Sequence, residues 1–260
     1  MDLQKLYSYT RRAIQQYDLI QAHDRIAIGI SGGKDSLTLL YALAGLRRFY
    51  PMPFELEAIT VDLGFGMDFT EVSDLCHTLD VHYTIVQTEI AQIVSERATD
   101  SYSCSLCAKL RKGALNQQAQ ALHCNKIAYA HHMDDVVDTF ILSLNYESRL
   151  YSFSPYTYLE QTGLTLIRPL ILIPEYEILS FAKKYQLPIV ENLCPADEAT
   201  TRTHAHTFLE ELYRKDPTLR KHLFTAIKSS DIQDWQIARN RSKTLKSPTH
   251  SHKQPGGYDE

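Results

Sequence analysis

With 260 residues, 44% of them hydrophobic and 22% charged, the chain can bury the core of one large or two small domains and is too apolar for a disordered or fibrous class. Its 27 Lys and Arg against 31 Asp and Glu leave a net charge of −4, which excludes the overall basic field that would announce a nucleic-acid binder and leaves room only for a local basic face. No run of about 18 apolar residues occurs, and the first twenty residues mix charge with apolar side chains where a secretory leader needs an unbroken apolar stretch, so a cytoplasmic protein without membrane partners is expected.

Residues 1–23 read as an N-terminal helix. Apolar, β-branched runs then recur at RIAIGI (25–30), LEAITVDLG (56–64), VHYTIVQT (81–88), KIAYAHH (126–132) and, more weakly, LTLIRPL (164–170). Between them, residues 36–50, 68–79, 90–98, 106–122 and 134–146 carry apolar side chains at three- and four-residue spacing, as half-buried helices do. The alternation predicts an α/β fold, a doubly wound parallel sheet with helices on both faces, over 24–172. A small helical C-terminal region follows over 173–230: Pro174 opens a helix that Pro188 ends, the short extended piece PIVEN leads to Cys194, and a last helical stretch from 204 to 229 is broken at Asp216-Pro217. Residues 231–260 are expected to form a disordered tail, being nearly devoid of large apolar residues from Asn240 onward.

Ligands of open α/β sheets sit beyond the carboxyl ends of the strands, which makes the turn after Ile30 the first place to look. There the apolar run becomes Ser31-Gly32-Gly33-Lys34-Asp35-Ser36 and helical periodicity follows at once. Two glycines let a phosphate approach the main chain, so that the N–H groups of Gly32 to Ser36 can point at it, with Ser31, Lys34 and Ser36 adding hydroxyl and ammonium donors. Adjacent glycines match neither GxxxxGK[ST] nor GxGxxG. The SGGKDS turn resembles the PP-loop of the N-type ATP pyrophosphatases. That resemblance implies a doubly wound parallel sheet, binding of ATP with Mg²⁺, transfer of AMP to a substrate oxygen and release of the pyrophosphate held by residues 32 to 36. It also implies a place for Asp62, at the end of the second strand run, beside the nucleotide or the metal.

Five cysteines, at 76, 104, 107, 124 and 194, are an odd count, and a disulfide framework is not expected. Cys104 and Cys107 form a CxxC pair opening a helix, where a positive helix end favours thiolate and both sulfurs face one point. On spacing alone zinc, a redox disulfide and an iron–sulfur cluster all compete. Cys194 lies at the end of the extended piece, while Cys76 and Cys124 read as small packed residues. CSLCAKLRKG, HHMDDVVDT and NLCPAD, in that order after SGGKDS, resemble the iron–sulfur tRNA thiolation branch of the PP-loop enzymes, closest to the tRNA-cytidine 2-sulfurtransferase type, over about 24–212. The resemblance implies a [4Fe-4S] cluster on Cys104, Cys107 and Cys194, tRNA as substrate, and a sulfur donor such as a cysteine desulfurase or free sulfide. It differs from that branch in showing Cys194-Pro195 where a second CxxC is expected.

His131, Asp134 and Asp135 follow the fourth strand run on the same edge and could orient ribose and phosphates, hold Mg²⁺ or move a proton; the resemblance assigns them to ATP. Arg111 and Lys112, one turn past Cys107, and Arg168 are candidates for phosphate or RNA contact. The tyrosine-rich stretch 146–158, with Arg149, interleaves aromatic and basic residues as base-stacking surfaces do. The functional expectation is ATP-dependent tRNA thiolation at a cytidine C2, with a homodimer allowed. Its alternatives are a lysidine synthetase-like ligase without a sulfur step, a PP-loop sulfurtransferase for a small molecule, and a non-catalytic nucleotide- or sulfide-binding module.

Overall fold

The computed structural model describes residues 1–97, 104–194, 201–232 and 235. Among them, β1 (Asp24–Gly29), β2 (Phe54–Asp62), β3 (His82–Gln87), β4 (Lys126–Ala128), β5 (Tyr156–Leu159) and β6 (Leu164–Ile167) form one sheet in the order β3-β2-β1-β4-β6-β5. All neighbouring pairs are parallel except β5 with β6. Helices α1 (Leu3–Tyr17), α2 (Lys34–Arg47), α3 (Thr70–Thr78), α4 (Ile90–Glu96), α5 (Cys104–Ala121), α6 (Met133–Tyr146), α7 (Glu175–Lys184), α8 (Thr201–Lys215) and α9 (Leu219–Ser229) complete the described fold.

The two faces of the sheet bury two cores, and strand alternation decides which residue enters which. On β1, Ile26 and Ile28 enter the larger core with α1, α2, α6 and α7, whereas Ala27 points into the smaller one with α4 and α5. The same division separates Leu56 and Ala58 from Ile59 and Val61 on β2, and Ala128 from Ile127 on β4. Gly29 sets the fit of α5: a Cβ there would stand 3.1 Å from Leu115 Cδ2. Helix α5 ends just before β4, so its first turn lies at the carboxyl edge of the sheet.

The doubly wound sheet expected from the sequence is present, with three differences. The fourth strand stops at Ala128, and residues 129–132 form the loop that leads into α6. Residues 156–159, of which 156–158 end the tyrosine-rich stretch, form an antiparallel edge strand turned back onto β6 through Gly163 (φ +69°). Its pattern is half-buried and interrupted by polar residues, so it lacks the continuous apolar run of the central strands. The 187–194 segment has no strand pairing.

Leu209 and Tyr213 on α8, Phe224 and Ile227 on α9, and Trp235 all lie in the larger core, so the C-terminal helices share their apolar packing with the sheet. Trp235 is fully buried, edge-on to Tyr17 and Phe224 at 6.2 and 5.9 Å between ring centres. Trp235, within the segment expected to form a tail from 231, thus has its indole in the larger core. The expected tail beyond it, 236–260, lies outside the described residues. No described helix is long and apolar enough to cross a membrane.

Candidate functional site

Backbone geometry at the carboxyl end of β1 builds a shallow cradle. Ile30 N–H donates to the Ile59 carbonyl at 2.8 Å, and the Thr60 hydroxyl donates to the Ile30 carbonyl at 3.0 Å, which fixes where the strand stops. Gly32 then takes φ +81°, a left-handed value that side chains with a Cβ adopt only at a cost. The turn closes on itself: Ser31 N–H donates to Ser36 Oγ at 3.2 Å, Gly33 N–H to Ser31 Oγ at 3.3 Å, and Ser36 Oγ–H to the Gly33 carbonyl at 2.9 Å. Gly33 caps α2 with no side-chain bond to the first turn, so α2 presents its N-terminal N–H groups and positive dipole end to whatever binds there.

Over this turn lies the segment leading to Cys194. Val190 N–H donates to the Gly32 carbonyl at 3.0 Å, and a Cβ on Gly32 would come within 2.8 Å of Val190 Cβ and Cγ2. The glycine at 32 therefore serves two ends, the turn itself and the close seat of Val190, and only the first was evident in the sequence.

The charged side chains of the site come from four elements. Lys34 Nζ stands 3.0 Å from Asp35 Oδ2 and 2.9 Å from Glu175 Oε1 at the start of α7. Burial pulls the Lys34 pKa down, but the two carboxylates outweigh it and hold the ammonium above its ordinary value. Burial raises the Glu175 carboxyl, and Lys34, His132 and His206 outweigh it to leave it below the usual range. His206, on α8, is held above its ordinary value by its hydrogen bond to Asp138 (3.1 Å), against burial and with help from Asp138, Glu175 and Glu210 charges.

The HHMDD segment divides between site and scaffold. His132, not His131, faces the glycine turn, with Nε2 at 3.7 Å from Asp35 Oδ1 and 3.4 Å from Asp135 Oδ2. The His131 ring packs 4.7 Å from Phe153 and 5.7 Å from Tyr129. Asp135 accepts from the His132 backbone N–H at 2.8 Å and caps α6. Asp134 is 1% exposed; it accepts from Glu175 N–H at 2.7 Å, thereby capping α7, and pairs with Arg220 of α9. The resemblance assigns Asp134 to ATP; here its two oxygens face the α7 N-terminus and the Arg220 guanidinium.

Two other candidates are also tied into the framework. Arg168 is buried, donates to the Ser154 carbonyl at 2.6 Å and to Thr157 Oγ1 at 3.1 Å, and lies over the Phe153 ring at 4.6 Å, which anchors the β5–β6 hairpin. Asp62 Oδ1 accepts from Gly64 N–H at 2.9 Å and stays half-buried at the same edge as the turn. Arg111 and Lys112 are exposed on α5, and the Arg111 charge reaches Tyr129, whose phenol burial raises and the two arginines 111 and 168 draw back.

Cys104 and Cys107 lie one turn apart at the start of α5, the first exposed and the second 8% exposed against the smaller core. Cys194 is half-buried at the end of the Val190 segment, its N–H donating to Asn192 Oδ1 at 3.1 Å. All five cysteines are free thiols. Among the described residues no group of three or more His, Cys, Asp or Glu is gathered tightly enough to hold a metal ion, so Cys194 does not complete a ligand set with the CxxC pair as the chain stands. Pro195 to Asp197, the end of the NLCPAD motif, lie outside the described residues. The donor chemistry nevertheless suits iron: three soft thiols, two of them set by one helical turn.

The remaining thiols behave differently. Burial pushes Cys76 up to about 12 and Cys124 up to about 11, so neither forms thiolate near neutral pH. In metal-free protein, iodoacetamide at pH 8 is expected to label Cys104 and Cys194 well before Cys76 and Cys124, which should react only after denaturation. Peptide mapping by mass spectrometry reads this directly, and early labelling of Cys76 or Cys124 would contradict the packing described.

Comparison with known proteins agrees with this architecture. A family model described as a PP-loop domain matches residues 6–210. A tRNA-cytidine(32) 2-sulfurtransferase of Citrifermentans bemidjiense is 37% identical over 220 residues, covering 83% of this chain and 86% of that protein. One from Geotalea daltonii is 36% identical over 238 residues, covering 90% and 93%. Among solved structures, the U34-tRNA thiolase NcsA from Methanococcus maripaludis, with its [4Fe-4S] cluster, shares the fold at a TM-score of 0.68 and 21% identity, covering 92% of this chain and 78% of that one. A glycine turn of this geometry, on this sheet and with relatives of this coverage, makes the chain a member of the PP-loop family.

Proposed function

We propose that the chain is an ATP-dependent tRNA thiolase, which adenylates the C2 oxygen of a cytidine and replaces that oxygen with sulfur. One observation carries the reading. The SGGKDS turn and the CxxC helix both open at the carboxyl edge of one sheet, in a chain that matches tRNA-cytidine(32) 2-sulfurtransferases over 83 to 90% of its length.

In this reading the main-chain N–H groups of residues 32 to 36 and the α2 dipole receive the β- and γ-phosphates, and Mg²⁺, when bound with the nucleotide, would offset their charge. The cytidine oxygen attacks the α-phosphorus; the bond to the β-phosphate oxygen breaks, and pyrophosphate leaves into the cradle, where Lys34 offsets its developing charge. Asp62 stands at the nucleotide side of the cleft. A sulfide then attacks C2 and AMP departs with the original oxygen, so that a poor leaving group has become a good one. A [4Fe-4S] cluster held by Cys104, Cys107 and Cys194 supplies, when bound, an iron with an open position for that sulfide. The exposed Lys109, Arg111 and Lys112 on α5, and the exposed Tyr146 and Tyr158 with Arg149, offer phosphate contacts and stacking faces to RNA. Free sulfide or a cysteine desulfurase is the sulfur source, the cytoplasm the compartment, and a homodimer an assembly the reading allows.

The test is nucleoside analysis of tRNA incubated with anaerobically reconstituted, iron-loaded protein, ATP, Mg²⁺ and sulfide. ATP-dependent appearance of 2-thiocytidine is expected. Consumption of ATP with no thionucleoside, or activity undiminished in colourless iron-free protein, would overturn the thiolation reading.

A further inference from the structure

The reading above gives Lys34 to the triphosphate, and the inference that follows rests on it. An ammonium has three N–H donors. On Lys34 two of them face carboxylates, Asp35 at 3.0 Å and Glu175 at 2.9 Å, which leaves one for a ligand. Asp35 is the next residue of the first turn of α2 and travels with Lys34. Glu175 comes from the first turn of α7, where its own backbone N–H is bonded to Asp134 at 2.7 Å, so its position is set by α6 and, through the Asp134–Arg220 pair, by α9.

A carboxylate beside the phosphate-binding lysine should repel an arriving triphosphate unless other cations neutralise it. Glu175 has such cations. Besides Lys34 on its first oxygen, its second oxygen lies 3.5 Å from His206 Nε2 on α8, whose Nδ1 faces Asp138 Oδ2 of α6 at 3.1 Å. The chain Lys34–Glu175–His206–Asp138 therefore alternates in sign from the glycine turn into the C-terminal helices. Its members are partly shielded from water, where such pairing is stronger than at an open surface.

We propose that Glu175 is a positioning residue for adenylation: it fixes the direction of the remaining Lys34 N–H toward the departing pyrophosphate, and through His206 it ties that direction to the docking of α8. Such a residue acts on the transition state more than on ground-state binding, because a freed lysine still finds the phosphates of bound ATP.

The experiment measures tRNA-dependent pyrophosphate release, together with titration of α,β-methylene-ATP into the full-length protein. For Glu175→Gln, kcat is expected to fall about tenfold while the KM for ATP changes less than about twofold, the size of effect that small misplacements of a binding group produce. Glu175→Asp, which keeps the charge at a shorter reach, should retain more kcat than the isosteric Glu175→Gln; a role in packing would reverse that order. His206→Gln should lower kcat in the same direction, and combining it with Glu175→Gln should add little, since both interrupt one chain. Unchanged kcat in Glu175→Gln, a better Gln than Asp variant, or additive losses would each overturn the inference while leaving nucleotide binding intact. Failure of the wild-type protein to bind the analogue would overturn the nucleotide reading and the inference with it.

Discussion

Gly32→Ala is expected to destabilise the protein by about 2 to 6 kcal/mol and to abolish measurable ATP binding, which in affinity means a loss of at least about a hundredfold. Two separate penalties meet at this residue. A non-glycine residue forced to keep a strained backbone conformation costs about 1 to 3 kcal/mol, and Gly32 sits at φ +81°. Its new Cβ would also press to 2.8 Å on Val190 Cβ and Cγ2, where overpacking of this kind costs about 1 to 3 kcal/mol. Relief can come only by lifting Val190 or reshaping the turn, and either breaks the Val190 N–H bond to the Gly32 carbonyl or turns cradle N–H groups away from the phosphates. Gly33→Ala is the control. Gly33 has φ −81°, and a Cβ there would meet only Ser31 Oγ at 3.4 Å, so its stability should stay within about 1 kcal/mol of wild type. Urea unfolding and calorimetric titration with α,β-methylene-ATP measure both quantities. Equal unfolding midpoints for the two alanine variants would refute the account of the loop.

Arg220→Met should cost about 3 to 5 kcal/mol, the range for removing one partner of a buried ion pair. Asp134 is 1% exposed, and the Arg220 side chain is 12% exposed. Without the guanidinium, the Asp134 carboxylate keeps the Glu175 N–H at 2.7 Å but loses its counter-charge in a site with almost no water contact. The Arg220 bond to Glu210 matters less, since that carboxylate is 36% exposed and readily hydrated. Asp134→Asn in the same chain removes the orphaned charge while leaving an amide oxygen to cap α7, so the double variant should recover more than half of the loss. Urea midpoints of the two singles and the double decide it; a double variant weaker than Arg220→Met alone would show that the pair is not the source of the effect.

What the sequence disclosed and what it withheld follow one rule: signals that act within a few residues were visible, and those that pair distant segments were not. The central strands announced themselves because both faces are buried, so Ile26, Ala27 and Ile28 are all apolar even though they serve different cores. Edge strand β5 did not, because Tyr156, Thr157 and Tyr158 need only half-bury and resemble a loop rich in tyrosine. The glycine turn and the CxxC pair were legible because their chemistry is compressed into six and four residues. Glu175, His206 and Arg220 looked like ordinary charges on helices, and nothing near them in the chain marks their partners at Lys34, Asp138 and Asp134. At Arg168 and His131 the sequence offered no hint of the neighbours the fold supplies: the guanidinium donates to the Ser154 carbonyl and Thr157, and the imidazole packs on Phe153. Trp235, a lone large apolar residue in a polar stretch of sequence, meets Tyr17 and Phe224, partners that no local signal in the chain announces.

The bond from Val190 N–H to the Gly32 carbonyl also sets a leash. Cys194 lies four residues beyond Val190, and a fully stretched chain spans about 3.5 Å per residue, so its Cα can stand no more than about 14 Å from that of Val190, its anchor on the phosphate-binding turn. However the residues after it are arranged, the sulfur chemistry of this chain is confined to the neighbourhood of its nucleotide, and a triphosphate that displaced Val190 would lengthen the tether at the moment of binding.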